Sequence, residues 1–516
     1  MRHPLLTLPL AALLTMAMAL PASAVGDAEN GAKVYEHRCV QCHGPDGDGK
    51  GPGADFMLPR PRIFGDNGSY KFRSTPPAEL PTDQDLFHII SVGIPGSSMP
   101  GFDVLPESER WDLVAYIHVL NEDFADEEYM ETAVVMDDLV GEVIAPPSTP
   151  ESIAVGKVAF AKAQCHTCHG EQGRGNGSAG QELKDDWGVP ILPRNLTNPE
   201  IYRGGSTAYD MFRTVTTGLN GSPMASYAES LSTEERWGVV HFVQSLHPPK
   251  QEERDEIVLA SRVESVPEDA EGWAVAQVAR FKTLPNIITP PRLFWQSIDF
   301  LSVQAVYTDS ELAMRIQWDD RTESKGTNAR HVYEDRDTTV YRATDHPDQF
   351  VVQFPVKNHP TVRPFFLMGD GKRATNLWWW RGDTGITSEM NAKGFGSQVD
   401  QPEQSQQLSS TVTYADGRYT MVLRRPLEAQ AVKRDTQFEP GVFTPIAFHA
   451  WDGSRGQVGN RRSVTTWYWL YLRPPLPETV NTYPPFAFFL SLGLLLIVVS
   501  AVRRRVGGEP EESSEA

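Results

Sequence analysis

Cysteine is scarce in this chain: there are four in 516 residues, all within two Cys-x-x-Cys-His motifs. An excess of positive charge is also missing. Lysine and arginine number 47 against 67 aspartates and glutamates, a formal net charge of −20. That balance excludes electrostatic attraction to nucleic acid and favours solubility or basic partners. Gly-x-Ser-x-Gly, the P-loop and His-Glu-x-x-His are absent, so the usual catalytic signatures give no lead. Long apolar runs occur only near the two ends.

The first run, Leu5 to Leu20, follows Arg2 and His3 and precedes Ala22-Ser23-Ala24. Residues 1–24 therefore read as a secretory signal peptide with a small-residue cleavage site. The second run, Phe486 to Val502, follows Tyr483-Pro484-Pro485 and stops at Arg503-Arg504-Arg505. It is at the short end of the roughly 17–25 residues a membrane span needs. By the positive-inside rule the arginines are cytoplasmic, which puts the bulk of the chain in the periplasm of a bacterial inner membrane. The run contains no histidine, methionine or ionisable group, so it reads as a tether.

The motifs are Cys39-Val-Gln-Cys42-His43 and Cys165-His-Thr-Cys168-His169. Cys-x-x-Cys-His is the attachment signature of c-type haem: two thiols on one helical turn meet two vinyl groups, and the next histidine lies under the iron. A thioredoxin-like redox centre, a zinc site or a disulfide framework are the alternatives. None explains a histidine after both pairs, and one zinc site would have to span far more chain than usual.

Alignment on the motifs reveals a duplication. Gly31-Ala-Lys-Val-Tyr35 matches Gly156-Lys-Val-Ala-Phe160, and Gly-rich loops follow both motifs. Leu58-Pro59-Arg60 aligns with Leu192-Pro193-Arg194, and Asp85-Leu-Phe87 with Asp210-Met-Phe212. Gly96-Ser-Ser-Met99 and Gly221-Ser-Pro-Met224 lie at nearly equal distances beyond their histidines. Each copy closes with a helix opened by Glu-Arg-Trp, at Trp111 and Trp237, with apolar residues at helical spacing. Met99 and Met224 could be core filler, but their matched loops favour ligands.

This pattern resembles class I cytochromes c. The resemblance implies two all-α domains (25–121 and 151–247) and two covalent haem c groups, held by Cys39, Cys42, Cys165 and Cys168. Carried over, His43 and Met99 ligate one iron, and His169 and Met224 the other. His88 has Arg213 as its counterpart and is not expected to ligate. Closed His/Met coordination favours electron transfer over catalysis.

The acidic stretches 122–150 and 248–272 read first as solvated linkers and second as docking surfaces. From 273 to 474 the signals are those of strands. Leu312, Met314, Ile316 and Trp318 alternate with polar neighbours, and Asp416-Gly417 marks a hairpin. An all-β sandwich-like domain is expected, followed by a Pro-rich linker (475–485), the anchor (486–502) and a tail (503–516). Ile316-Gln-Trp318-Asp319-Asp320, Asp348-Gln-Phe, Phe366-Leu-Met368-Gly369-Asp370, Trp378-Trp-Trp380 and His449-Ala-Trp451-Asp452-Gly453 resemble, in this order, the haem b-binding subunit of ethylbenzene dehydrogenase. Related subunits serve other molybdenum enzymes of the dimethyl-sulfoxide-reductase family.

The resemblance implies one b haem, with Met368 as a ligand. The expected lysine partner is replaced by Arg462, which has no lone pair to offer iron; His449 and His359 are the substitutes to consider. It also implies molybdenum-containing and iron–sulfur subunits as partners, beside a quinol-oxidising membrane protein. The expected function is membrane-anchored electron transfer. A dihaem peroxidase or oxidase, or cytochromes fused to a haem-free interaction module, are the alternatives.

Overall fold

The computed structural model describes residues 26–57, 59–67, 70–186, 188, 191–248, 256–326, 333–335, 339–341, 346–359, 361–475 and 483–506. The signal-peptide reading, Leu58 of the repeat and the tail beyond 506 lie outside them.

The first helical region comprises α1 (Ala28–Arg38), α2 (Val40–His43), α3 (Asp83–Val92) and α4 (Glu107–Leu120). Asp27 caps α1 by accepting from Glu29 and Asn30 backbone N–H groups, which satisfies donors a helix start leaves open. A short helix, α5 (Glu127–Met130), leads to the second region: α6 (Pro150–Lys162), α7 (Cys165–His169), α8 (Ala208–Thr217) and α9 (Thr233–Ser245).

The repeat is physical as well as textual. In both regions the first long helix crosses the last through a glycine. A Cβ on Gly31 would stand 1.9 Å from the Asp112 carbonyl oxygen, and one on Gly156 would stand 1.8 Å from that of Gly238. Phe87 stacks on Trp111 at 4.1 Å and Phe212 on Trp237 at 4.2 Å. Arg110 and Arg236 lie over those phenylalanines, giving the Glu-Arg-Trp motif a packing role. Thr82–Asp85 and Thr207–Asp210 form equivalent capping boxes at α3 and α8.

The stretch 122–150 is not a free connector. Phe124 and Ala133 join the first core and Leu139 the second. Met136 N–H donates to the Ser74 carbonyl at 2.9 Å, and Asp138 pairs with buried Arg236 at 2.5 Å. Acidic residues dominate its composition, but its few apolar side chains decide its path.

Apart from a small hairpin of Tyr333–Asp335 with Thr339–Tyr341, the described strands of the carboxy-terminal region form one sheet folded over into two layers. Its strand order is Val399–Asp400, Thr387–Ala392, Thr375–Arg381, Gln349–Pro355, Phe443–Trp451, Tyr468–Leu472, Ile257–Arg262, Phe300–Tyr307, Glu311–Asp319, Arg418–Pro426 and Ser409–Ala415. Ile257–Arg262 is parallel to both neighbours, whereas the other pairings are antiparallel. This strand lies in the stretch read as the second acidic linker. Its alternate residues Val258 and Ala260 are fully buried, a pattern too short to stand out beside its charged flanks. Between the layers Trp318 stacks on Phe350 at 4.4 Å, and Phe281 meets Phe448 at 5.6 Å.

The last helix, α10 (Tyr483–Val506), is long and apolar enough over Pro485–Arg505 to cross a membrane, with mean hydropathy 2.5 and none of it buried.

Because nothing near Gly31 or Gly156 can yield except backbone, Gly31→Ala and Gly156→Ala should each destabilise their region by about 1–3 kcal/mol, the range for overpacking. Denaturant unfolding followed by circular dichroism measures this; an unchanged midpoint would show that the helices can separate freely.

Candidate haem-binding sites

Each cysteine pair lies at the turn from the first helix of its region into a short second one. Cys39 precedes α2 and Cys165 opens α7. Burial pushes the Cys39 thiol up to about 12 and that of Cys165 to about 11, so both are neutral. Cys39, Cys42, His43 and Met99 line one cavity of about 160 Å³. Cys165, Cys168, His169 and Met224 line another of about 410 Å³. The four side chains expected from each motif and loop thus share one cavity in each region. His88 lines neither.

The histidines are oriented alike. His43 Nδ1 is 3.2 Å from the Arg62 carbonyl oxygen and His169 Nδ1 is 2.9 Å from that of Arg194. Burial holds both imidazoles below their usual pKa. A neutral ring that donates from Nδ1 keeps its Nε2 lone pair free, the arrangement seen for metal-ligating histidine. Phe64 stacks on His43 at 4.7 Å. The methionine loops are congruent too: Ile94 N–H donates to Met99 O and Leu219 N–H to Met224 O, at 3.1 and 2.9 Å.

These contacts correct the repeat alignment. The residue equivalent to Arg194 is Arg62, not Arg60, because Arg62 supplies the carbonyl to the histidine. Phe64 N–H donates to Gly47 O as Leu196 N–H does to Gly173 O. The run Pro59-Arg-Pro-Arg62 offers the dipeptide twice, and sequence cannot choose between the copies.

Sequence reasoning missed how the sites meet. Lys71, Phe72 and Arg203 line both cavities. Beside them, at the junction with the sandwich, a further cavity of about 110 Å³ is walled by Arg60, Arg62, Lys71, Arg194, Arg203 and Arg321, among others, with Asp185 and Asp299 as its acids. Burial, with Arg62 and Arg203 nearby, pushes Lys71 down to about 7, and burial lowers Arg203 well below its usual range. Arg203 Nε and Arg321 Nε are buried without a hydrogen-bond partner. Cations crowded into a chain of charge −20 fit the carboxylate edges of porphyrins, so these sites suit the group their motifs imply. The available signal was Pro-Arg recurring in an acidic sequence.

The sandwich differs. Met368 is fully buried at φ 70°, a backbone region that residues other than glycine seldom adopt. It packs among Val351, Leu377, Ala392 and Trp451, and its Sδ accepts from Gln398 Nε2 at 3.2 Å. Arg462 takes the place of the expected lysine. It lies 4.7 Å over the Phe395 ring and 5.5 Å over that of Trp451. Its Nε donates to His449 Nδ1 at 3.2 Å, and His449 Nε2 lies 3.0 Å from Gln353 Oε1. The same Gln353 oxygen accepts from Met368 N–H at 3.0 Å. Both His449 nitrogens are therefore engaged, and His359 is exposed. Among the described residues, none of Arg462, His449 and His359 offers Met368 a second iron ligand, so these residues do not fit a b haem.

Two Cys-x-x-Cys-His cavities closed by methionine loops define tandem c-type cytochrome domains joined to a β-sandwich. Family matches agree: residues 28–121 match cytochrome c, 151–243 the cbb3-type cytochrome c oxidase subunit III, and 270–412 ethylbenzene dehydrogenase. The cytochrome c domains imply covalent haem c, and the ethylbenzene dehydrogenase match suggests haem b. A putative respiratory nitrate reductase heme subunit of Haloferax mediterranei is 32% identical over 220 residues, covering 41% of this chain and 70% of that protein. The chlorate reductase gamma subunit of Ideonella dechloratans is 34% identical over 169 residues, covering 33% and 63%. A chain of the reducing HAO-like protein complex of Kuenenia stuttgartiensis is 39% identical, covering 43% of this chain and 98% of that one at a TM-score of 0.40. The chain belongs to the family of haem-carrying gamma subunits of nitrate and chlorate reductases, with cytochrome c domains fused to the family domain.

Arg462→Ala should cost about 3 kcal/mol of sandwich stability, since it leaves the His449 acceptor unsatisfied and a gap between two rings. Denaturant unfolding followed by tryptophan fluorescence reads this; a loss below about 0.5 kcal/mol, the size of an ordinary surface change, would remove Arg462 from the core's support.

Proposed function

We propose that this protein is a membrane-tethered electron-transfer subunit, working between a quinol-oxidising membrane protein and a molybdenum-containing oxidoreductase with its iron–sulfur subunit. The observation that carries the proposal is the wall of Lys71, Phe72 and Arg203 common to the two cavities, which places the two sites side by side. When bound, a c haem supplies a one-electron couple whose potential a methionine ligand raises. In this reading Cys39 and Cys42, and Cys165 and Cys168, fix the porphyrins. His43 and Met99 close one iron, and His169 and Met224 close the other. Arg62 and Arg194 carbonyls set the histidine rings, and the shared cations receive the porphyrin carboxylates. Closed coordination leaves substrate no place at either iron, so the chain conducts.

Anchoring by the carboxy-terminal helix, with Arg503, Arg504 and Arg505 in the cytoplasm and the remainder in the periplasm, agrees with covalent haem attachment on that side. The gamma-subunit relatives support the molybdoenzyme partner. Met368 is the sandwich's one thioether in a family-matched position, but without a second donor we assign no electron step to it.

Three measurements test this reading. Purified protein should contain two covalent haems by pyridine haemochrome and release none to acidified acetone; an extractable third haem would restore the b site at Met368. Met99→Ala should lower the midpoint potential of one haem and open it to carbon monoxide, leaving the other unchanged, and Met224→Ala should do the converse. Carbon monoxide binding by a reduced wild-type c haem would favour a dihaem enzyme instead. Affinity purification from solubilised membranes should recover molybdenum with the chain; its absence would sink the proposed partner.

A further inference from the structure

At the end of the sandwich nearest the second cytochrome domain, three strand ends bring three aspartates together. Asp320 follows Glu311–Asp319 in one layer, while Asp348 precedes Gln349–Pro355 and Asp452 follows Phe443–Trp451 in the other. All three are at most 2% exposed, and one oxygen from each lies within 4.8 Å of the others.

Neighbouring donors hold these carboxylates in place. Asp348 accepts from Ser324 and Gly453 N–H, each at 2.7 Å, and from the Tyr419 hydroxyl at 2.8 Å. Asp452 accepts from the Ser454 hydroxyl at 2.6 Å, and Asp320 Oδ1 from Thr322 N–H at 3.3 Å. Among the described residues no lysine or arginine forms an ion pair with any of the three. Asp320 Oδ2 is buried with no hydrogen-bond partner, and so is the nearby Thr322 Oγ1. Burial and mutual repulsion push the Asp320 and Asp348 carboxyls well above their usual range. Converging buried carboxylates are relieved either by shared protons or by a cation among them, and the open Asp320 Oδ2 lone pair leaves a ligand position for the cation.

We infer that Asp320, Asp348 and Asp452 hold a hard divalent cation, with calcium the ion that fits. An all-oxygen donor set selects hard cations over zinc or copper. Calcium accepts cages built from protein oxygens, whereas magnesium dehydrates reluctantly and usually keeps several waters, which a set of carboxylates this deeply buried does not favour. The ion ties both layers at one point and fixes the segment after Glu311–Asp319. That segment also docks the second cytochrome domain: Asp319 accepts from Asn195 Nδ2 at 2.7 Å, and Arg321 donates to the Pro193 carbonyl at 3.3 Å. The cation is therefore structural, and it steadies the face against which the second site sits.

The test uses the full-length haem-loaded protein. Elemental analysis after extensive dialysis in metal-free buffer should find one calcium per two covalent haems. EGTA should lower the melting temperature by several degrees, and calcium chloride should restore it where magnesium chloride does not. Asp320→Asn should abolish both the calcium content and the EGTA response, while Asp319→Asn, outside the cluster, should keep them. If Asp320→Asn fails to fold, calorimetric titration of EGTA-treated wild type with calcium chloride decides the matter without a variant. Wild-type protein that carries no divalent metal and ignores EGTA, calcium and magnesium would overturn the site and leave the acids sharing protons. One retained magnesium would overturn the calcium assignment. None of these outcomes bears on electron transfer, so this site and the proposed function fail separately.

Discussion

Cations buried where the three domains meet are the constraint on which the seating of both haem sites turns. Arg62, Lys71, Arg194, Arg203 and Arg321 line a single junction cavity, and Asp185 and Asp299 are its only acids. Burial, and then the neighbouring Arg62 and Arg203, push Lys71 down to about 7, since like charges gathered out of water repel strongly. Bound porphyrins bring carboxylates to this place, so attachment of haem and closure of the junction are one event in this reading. The backbone that presents Arg62 and Arg194 also sets the rings of His43 and His169. In the same reading, charge at a porphyrin edge and orientation at an iron would be set by the same two residues.

Much of the cytochrome half was legible because a duplication writes each feature twice. Phe87 and Phe212, like Trp111 and Trp237, stood out as matched positions, and the stacking of each phenylalanine on its tryptophan explains why both recur. Legibility failed where one copy was internally repetitive: Pro59-Arg-Pro-Arg62 admits two registers, and only a hydrogen bond decides. It failed again where composition outvoted a few buried side chains. Val258 and Ala260 place a central strand inside an acidic stretch, and Leu139 seats another acidic stretch against the second core. The shared wall was invisible because Lys71 and Arg203 are far apart in sequence and neither belongs to a motif.

The sandwich shows how a family motif can persist while its chemistry changes. Met368 keeps its buried turn, yet the position facing it in the resemblance carries a guanidinium. Arginine at that place cannot ligate iron, but it can stack between Phe395 and Trp451 and satisfy His449. The polar chain Arg462–His449–Gln353–Met368 links these side chains by hydrogen bonds, with Arg462 Nη2 left buried and unpartnered. Among its described residues, a domain so arranged supplies position to its neighbours.

That positional role is concentrated in three successive residues. Asp319 grips Asn195 of the second cytochrome domain, Asp320 turns inward to the buried carboxylates, and Arg321 reaches Pro193 and the junction cavity. Alternation along an extended segment sends neighbouring side chains to opposite sides, so one strand end can serve the interface and the sandwich interior together. Any force that shifts Asp320 therefore shifts both of its neighbours, and with them the Pro193-Arg194 segment whose carbonyl orients His169. A cation among the aspartates would stiffen this segment without touching a haem. The sandwich can then govern the second site through geometry alone, which gives a family domain without a complete ligand pair a physical reason to stay attached.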